Sequence, residues 1–197
     1  DDLLAMTNCS MSYEWINVQL KNKMKRMKSI ILIMAFLGFS SVFSQVTIFD
    51  VARRGTVAEM TSLLIAQPQA IESKTAQGFT PLILACYNSN DDVATFLIQQ
   101  KANLNNVSPN GTALMASVVK NNQKLAKLLL DHNANPDLQD GNGFTALHYA
   151  IQFRNYEMIA LLMQYQPQIT IKDNMGMTAK AYAINLKDEQ IQHLLKL

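Results

Sequence analysis

The chain has 197 residues, 17 Lys and Arg against 15 Asp and Glu, and a formal net charge of +2. Five of the basic and three of the acidic residues precede Gln45, so the remainder carries 12 of each sign and is formally neutral. On that balance the basic stripe by which nucleic-acid binders release counterions is not expected, and 153 residues from Gln45 onward leave room for one domain.

In chain order, residues 1–23 are expected to be a leader without structural role, because the sequence does not begin with Met and Met24 or Met27 is a plausible start. Lys21, Lys23, Lys25, Arg26 and Lys28 then precede an uncharged apolar run over residues 30–39 and a small-residue stretch, Ser40-Ser41-Val42-Phe43-Ser44. Basic, apolar, small is the order of a secretory signal. The expectation is a bacterial-type signal over residues 24–44, cleaved after Ser44, with periplasmic or secreted localisation. The alternative is a membrane-anchored scaffold, which a run shorter than the roughly 20 apolar residues of a spanning helix disfavours.

Beyond it, a short phrase recurs. Thr80-Pro81-Leu82, Thr112-Ala113-Leu114, Thr145-Ala146-Leu147 and Thr178-Ala179-Lys180 start 32, 33 and 33 residues apart. Threonine before a helix can accept a backbone N–H, and Pro81 at the first turn removes only an N–H that has no partner there. Gly78, Asn110-Gly111, Gly143 and Gly176 precede the phrase with tight-turn chemistry. Turn, cap and helix therefore repeat four times.

The stretch Asp140-Gly141-Asn142-Gly143-Phe144-Thr145-Ala146-Leu147-His148-Tyr149-Ala150 resembles the opening of an ankyrin repeat, and residues 93–98, 125–130 and 158–163 resemble its second helix. The resemblance spans residues 47–197 and implies an all-α ankyrin repeat solenoid of helix-turn-helix units with short β-hairpin turns. Its parts are an N-terminal cap at about 47–74, repeats at about 75–107, 108–139 and 140–172, and a C-terminal cap at about 173–197. Only His148 keeps the family's usual histidine; Ile83, Met115 and Ala181 stand elsewhere, so thinner hydrogen bonding between repeats is expected. Ser89, Asn121 and Arg154 replace the glycine between paired helices, which predicts longer or differently shaped connections.

Candidates for chemistry are sparse. Lone Cys86 reads as a small core residue and His148 as an architectural one; a hydrolase or enzyme subunit using either is the alternative. Asp131, His132 and Asp137 are ligand types at a helix end, His193 lies in the polar C-terminal segment, and none completes a metal set. The glycosylation-type triplets Asn106-Val107-Ser108 and Asn110-Gly111-Thr112 are explained by turn and cap chemistry. Neither catalysis, a metal nor a cofactor is expected.

Recognition remains. The resemblance implies that partners dock on hairpin tips and on the exposed side of the first helices, a concave face. Phe79, Phe144 and Met177 occupy one position before the threonine, with Gly111 the exception; they either anchor a partner or pack on the neighbouring hairpin. Helix ends add Tyr87, Asn88, Val119, Lys120, Gln152, Phe153, Arg154 and Asn185, including types enriched in binding hot spots. Phe79, Tyr87, Asn88, Phe144, Phe153, Arg154 and Met177 are the expected protein-binding residues. The expected partner is another protein, with no nucleic acid and no membrane after signal cleavage.

Overall fold

The computed structural model describes residues 46–197; the expected leader and signal lie outside the described residues. Among the described residues ten α-helices form five antiparallel pairs: α1 Ile48–Arg54 with α2 Val57–Ala66, α3 Pro81–Tyr87 with α4 Asp91–Gln99, α5 Ala113–Val119 with α6 Gln123–Asp131, α7 Ala146–Gln152 with α8 Tyr156–Met163, and α9 Ala179–Asn185 with α10 Glu189–Leu194. A 3-10 turn, Pro68–Glu72, follows α2. First helices pack on first helices and second on second, giving an inner and an outer layer. Each unit shares its core with its neighbours only.

Threonine starts every inner helix. Thr80 Oγ1 accepts the Ile83 N–H at 3.3 Å, Thr112 that of Met115 at 3.2 Å and Thr178 that of Ala181 at 3.0 Å. The first pair uses the same device without the Thr-Ala-Leu phrase: Thr47 and Thr56 cap α1 and α2, and Asp50 and Glu59 return bonds to the cap backbone. Each such cap contributes about 1 kcal/mol. Behind the caps, Leu82, Leu97, Leu114, Leu125, Leu129 and Leu147 are almost wholly buried between the layers, each contributing about 1.5–3 kcal/mol by burial.

The connections within pairs are not longer or irregular. Ser89, Asn121, Arg154 and Lys187 adopt φ of 56°, 54°, 50° and 51°. The N–H groups of Ser89, Asn121 and Arg154 bond the carbonyls of Cys86, Val118 and Ile151, and the following Asn90, Asn122 and Asn155 bond those of Ala85, Ser117 and Ala150. The helix C-terminal turn closes as it would around glycine, because its paired bonds and the packing on either side fix the backbone. Left-handed geometry without glycine costs about 1–2 kcal/mol per residue, least at Asn121.

The hairpin turns are short and contain no extended strand among the described residues; isolated bridges join Ser108 to Gly111 and Lys172 to Thr178. Asp140 N–H bonds the Phe144 carbonyl at 2.9 Å, whereas Ser108 N–H bonds the Gly111 carbonyl at 3.0 Å, so the second hairpin is one residue shorter. This is the origin of the 32-residue step between Thr80 and Thr112. Gly143 has φ of 80°, and a Cβ there would stand 2.9 Å from the Asp173 Cα. Here glycine permits both the turn and the close approach of the next hairpin.

Bonds between units run along polar ladders. Asn90 Nδ2 donates to the Gly55 carbonyl at 2.9 Å, Asn122 Nδ2 to Asp91 Oδ1 at 2.6 Å, and Asn155 Nδ2 to Asn121 Oδ1 at 2.6 Å. At the tips, Gly141 N–H bonds the Pro109 carbonyl and Asn174 N–H that of Asn142, both at 3.0 Å. Two of the three units without the histidine, those headed by Thr80 and Thr112, carry such an asparagine; the unit headed by Thr178 has Asp188 there, which accepts the Tyr156 hydroxyl at 2.9 Å.

Candidate protein interface

Large apolar groups are exposed at the C-terminal ends of the inner helices, Ile184 of α9 among them at 48%. Tyr87 is 47% exposed, Val119 37% and Phe153 56%. Tyr87 and Val119 occupy equivalent places in successive units, and Phe153 is one residue beyond the corresponding Gln152. Lys120 Nζ stands 4.6 Å from the Tyr87 ring centroid, joining two units, while Phe153 stacks on Tyr149 with centroids 6.2 Å apart. Asn88 and Arg154 are exposed beside them. The helix caps and left-handed turns fix where this row begins and ends.

The hairpin candidates sit differently. Phe79 is half-buried against the core, and Met177 is half-buried. Phe144 stacks on the His148 ring with centroids 5.4 Å apart and meets Tyr149 and Tyr182 edge-on at 5.4 and 5.9 Å. Its contacts are those of an aromatic group packed on its neighbours. Tyr87, Asn88, Phe153 and Arg154 therefore share the helix-end row, and Phe79, Phe144 and Met177 flank it from the hairpins.

Under Phe144 lies a polar lattice that its sequence spacing could have revealed. Asp140 Oδ1 accepts the Asn142 and Phe144 N–H groups at 2.9 and 2.8 Å, and Oδ2 accepts the Tyr149 hydroxyl at 2.6 Å. Asp173 repeats the arrangement with Met175, Met177 and Tyr182, the tyrosine bond being 2.7 Å. Burial pushes the Asp173 carboxyl up, but the Tyr182 and backbone bonds outweigh it and hold it below the ordinary carboxylate value. Burial and the neighbouring Asp140 push the Tyr149 phenol up to about 12. Asp and Tyr nine residues apart, twice at a 33-residue interval, was the available signal.

His148 is fully buried and belongs to this lattice. Its Nδ1 accepts the Thr145 N–H at 3.1 Å and lies 2.8 Å from the Thr145 hydroxyl. The ring proton is therefore on Nε2, which has no hydrogen-bond partner. Burial holds its proton affinity below the usual histidine value, against the nearby Asp173 and Asp140 charges. Cys86 is also buried, and desolvation pushes its thiol up to about 12, which keeps it protonated and a poor nucleophile near neutrality. Neither group has a reactive setting.

Asp131 accepts from Lys127 at 2.7 Å and from the Tyr165 hydroxyl at 2.5 Å, while His132 Nδ1 lies 2.9 Å from the Leu128 carbonyl. Lys127 first, then Tyr165, holds the Asp131 carboxyl below its ordinary value. Among the described residues no group of three or more His, Cys, Asp or Glu is placed to hold a metal ion, and no helix is long and apolar enough to cross a membrane. A groove of about 840 Å³, absent from the sequence expectations, crosses the outer layer between α2, α4 and α6, with Phe96, Leu125 and Leu128 among its lining.

A family model described as ankyrin repeats matches residues 48–140 and 133–197. The chain is 33% identical over 121 residues to a protein of Treponema pallidum named as ankyrin repeat-containing, covering 59% of this chain and 41% of that one. It is 33% identical over 94 residues to an ankyrin repeat protein of Acanthamoeba polyphaga mimivirus, covering 47% and 12%, and 32% identical over 92 residues to one of Fowlpox virus, covering 47% and 64%. The chain thus spans less than two thirds of the length of each of these relatives.

Proposed function

The chain belongs to the ankyrin repeat family, and from that premise we propose that it is an exported, non-enzymatic module that binds another protein through the inner-helix face. Protein–protein interaction is what such repeats indicate. The finer assignment rests on one observation: Tyr87, Val119 and Phe153 stay exposed at corresponding ends of three successive inner helices. Large apolar and aromatic groups in a row on an otherwise polar surface are interface anchors. A role as accessory or protective partner of an exported protein fits the basic, apolar and small-residue order of residues 24–44.

The two parts are tested separately. Replacing Tyr87→Ala and Phe153→Ala together should abolish capture of the partner recovered with the unaltered protein while circular dichroism and melting stay unchanged; undiminished capture refutes the face. Mass spectrometry of the protein from the extracytoplasmic fraction should give an N-terminus at Gln45. A product that stays in the membrane with residues 24–44 attached refutes cleavage and makes the chain an anchored scaffold.

A further inference from the structure

The formal neutrality of residues 45–197 conceals a division of charge between the two layers. From residue 73 onward, the hairpin and inner-helix segments carry Lys74, Lys120, Arg154, Lys172, Lys180 and Lys187, all exposed. Their only carboxylates are Asp140 and Asp173, 8% and 5% exposed. Both are occupied by two backbone N–H groups and a tyrosine hydroxyl. The outer helices and return loops hold seven carboxylates, from Asp91 to Glu189, against four lysines. The inner layer is therefore positive toward solvent and the outer layer negative.

Local structure accounts for part of this. Lys120, Arg154 and Lys187 stand at helix C-termini, where the macrodipole favours a cation. It does not account for Lys74 and Lys172 before the hairpins; Glu72, two residues before Lys74, is the exposed acid beside the first of them, and Asp173 beside the second is buried. The described residues contain two ion pairs, Arg53 with Asp50 and Lys127 with Asp131, and neither involves an inner-layer cation from residue 73 onward. Lys120 lies instead over the Tyr87 ring, leaving its outward side available to an anion.

The cations interleave with the apolar row: Lys120 follows Val119, Arg154 follows Phe153, and Lys187 holds in the last unit the place that Arg154 holds in the one before. Given the reading of this face as the binding surface, on which the inference rests, we propose that its occupant is an acidic protein segment carrying aromatic or aliphatic side chains. The apolar groups would cover Tyr87, Val119 and Phe153, and the carboxylates would meet Lys120, Arg154 and Lys187. Complementary charge would set the rate of encounter and exclude basic partners, and apolar contact would hold the complex. The negative outer layer would repel the same segment and so direct it to the inner face.

Selection of short random peptides displayed against the purified protein tests this. The enriched pool should be acidic and contain aromatic or aliphatic residues, and its binding should weaken with added salt. Affinity for an enriched peptide should fall about tenfold or more in a Lys120→Glu, Arg154→Glu, Lys187→Glu variant of unchanged melting temperature. A neutral or basic pool whose binding is lost with Tyr87→Ala and Phe153→Ala overturns the acidic partner and leaves the face intact. Peptides indifferent to both variants but lost with Phe96→Ala and Leu128→Ala overturn the face itself. Failure to enrich any peptide overturns the proposal of an acidic segment.

Discussion

The units headed by Thr80 and Thr112 and those headed by Thr145 and Thr178 share one backbone but are tied together by different chemistry. In the first two, Thr75 and Ser108 hold the hairpins by single side-chain bonds, and Leu84 and Ala116 take the place of tyrosine on the inner helices. In the last two, Asp140 and Asp173 each gather three donors, and Phe144, His148, Tyr149 and Tyr182 form one aromatic cluster above them. Turn geometry needs only a small acceptor or donor; the second solution adds a bond from each hairpin to its own inner helix and buries charge to do so. Stability in the first half rests on aliphatic burial, and in the second on a polar lattice whose loss leaves several donors without partners.

The comparison is broken most strongly at the hairpin acid. Asp140→Ala should cost about 2–4 kcal/mol by orphaning two backbone N–H groups and the Tyr149 hydroxyl, whereas Ser108→Ala should cost about 0.5–1.5 kcal/mol; urea denaturation measures both. Equal losses would show that the two hairpins are held alike.

Acid should separate the halves next. The folded state disfavours protonated His148, so the unfolded chain binds the extra proton first and stability falls as pH drops below the ordinary histidine value of 6.5. Asp173, whose folded carboxyl is below its ordinary value of 3.8, gives a second loss below that pH. A His148→Leu variant should remove the first phase and keep the second in urea midpoints taken across pH, a smaller effect than that of Asp140→Ala. An unchanged first phase would place the sensitivity elsewhere.

The smallest effect sharpens what the halves share. Arg154→Gly and Ser89→Gly should each raise stability by about 1 kcal/mol, by relieving left-handed strain at equivalent turns. A loss in thermal denaturation would mean that these side chains contribute more than their backbone costs.

Much of this was legible from the chain. Threonine caps, turn glycines and the 33-residue period specify helix starts and hence the two-layer stack, because cap and turn chemistry is local. The one-residue deletion before Thr112 was visible as a 32-residue step, and its short hairpin follows. The shape of the turns at Ser89 and Arg154 was not visible. Propensity favours glycine there, and the neighbouring helices override it. The split between Phe144, held by three aromatic neighbours, and Phe153, open to solvent, also depends on which units meet. The layer charges were hidden for a related reason: neutrality in total says nothing about alternate segments.

The central claim is that partners meet the inner-helix ends and not the outer groove. A photo-crosslinking amino acid placed in turn at positions 87, 120 and 153, and in parallel at positions 96 and 128, tests it in the protein's native compartment. The account predicts that all three inner positions capture the same partner while 96 and 128 do not. Capture from 96 and 128 alone would move the interface to the outer groove and contradict it.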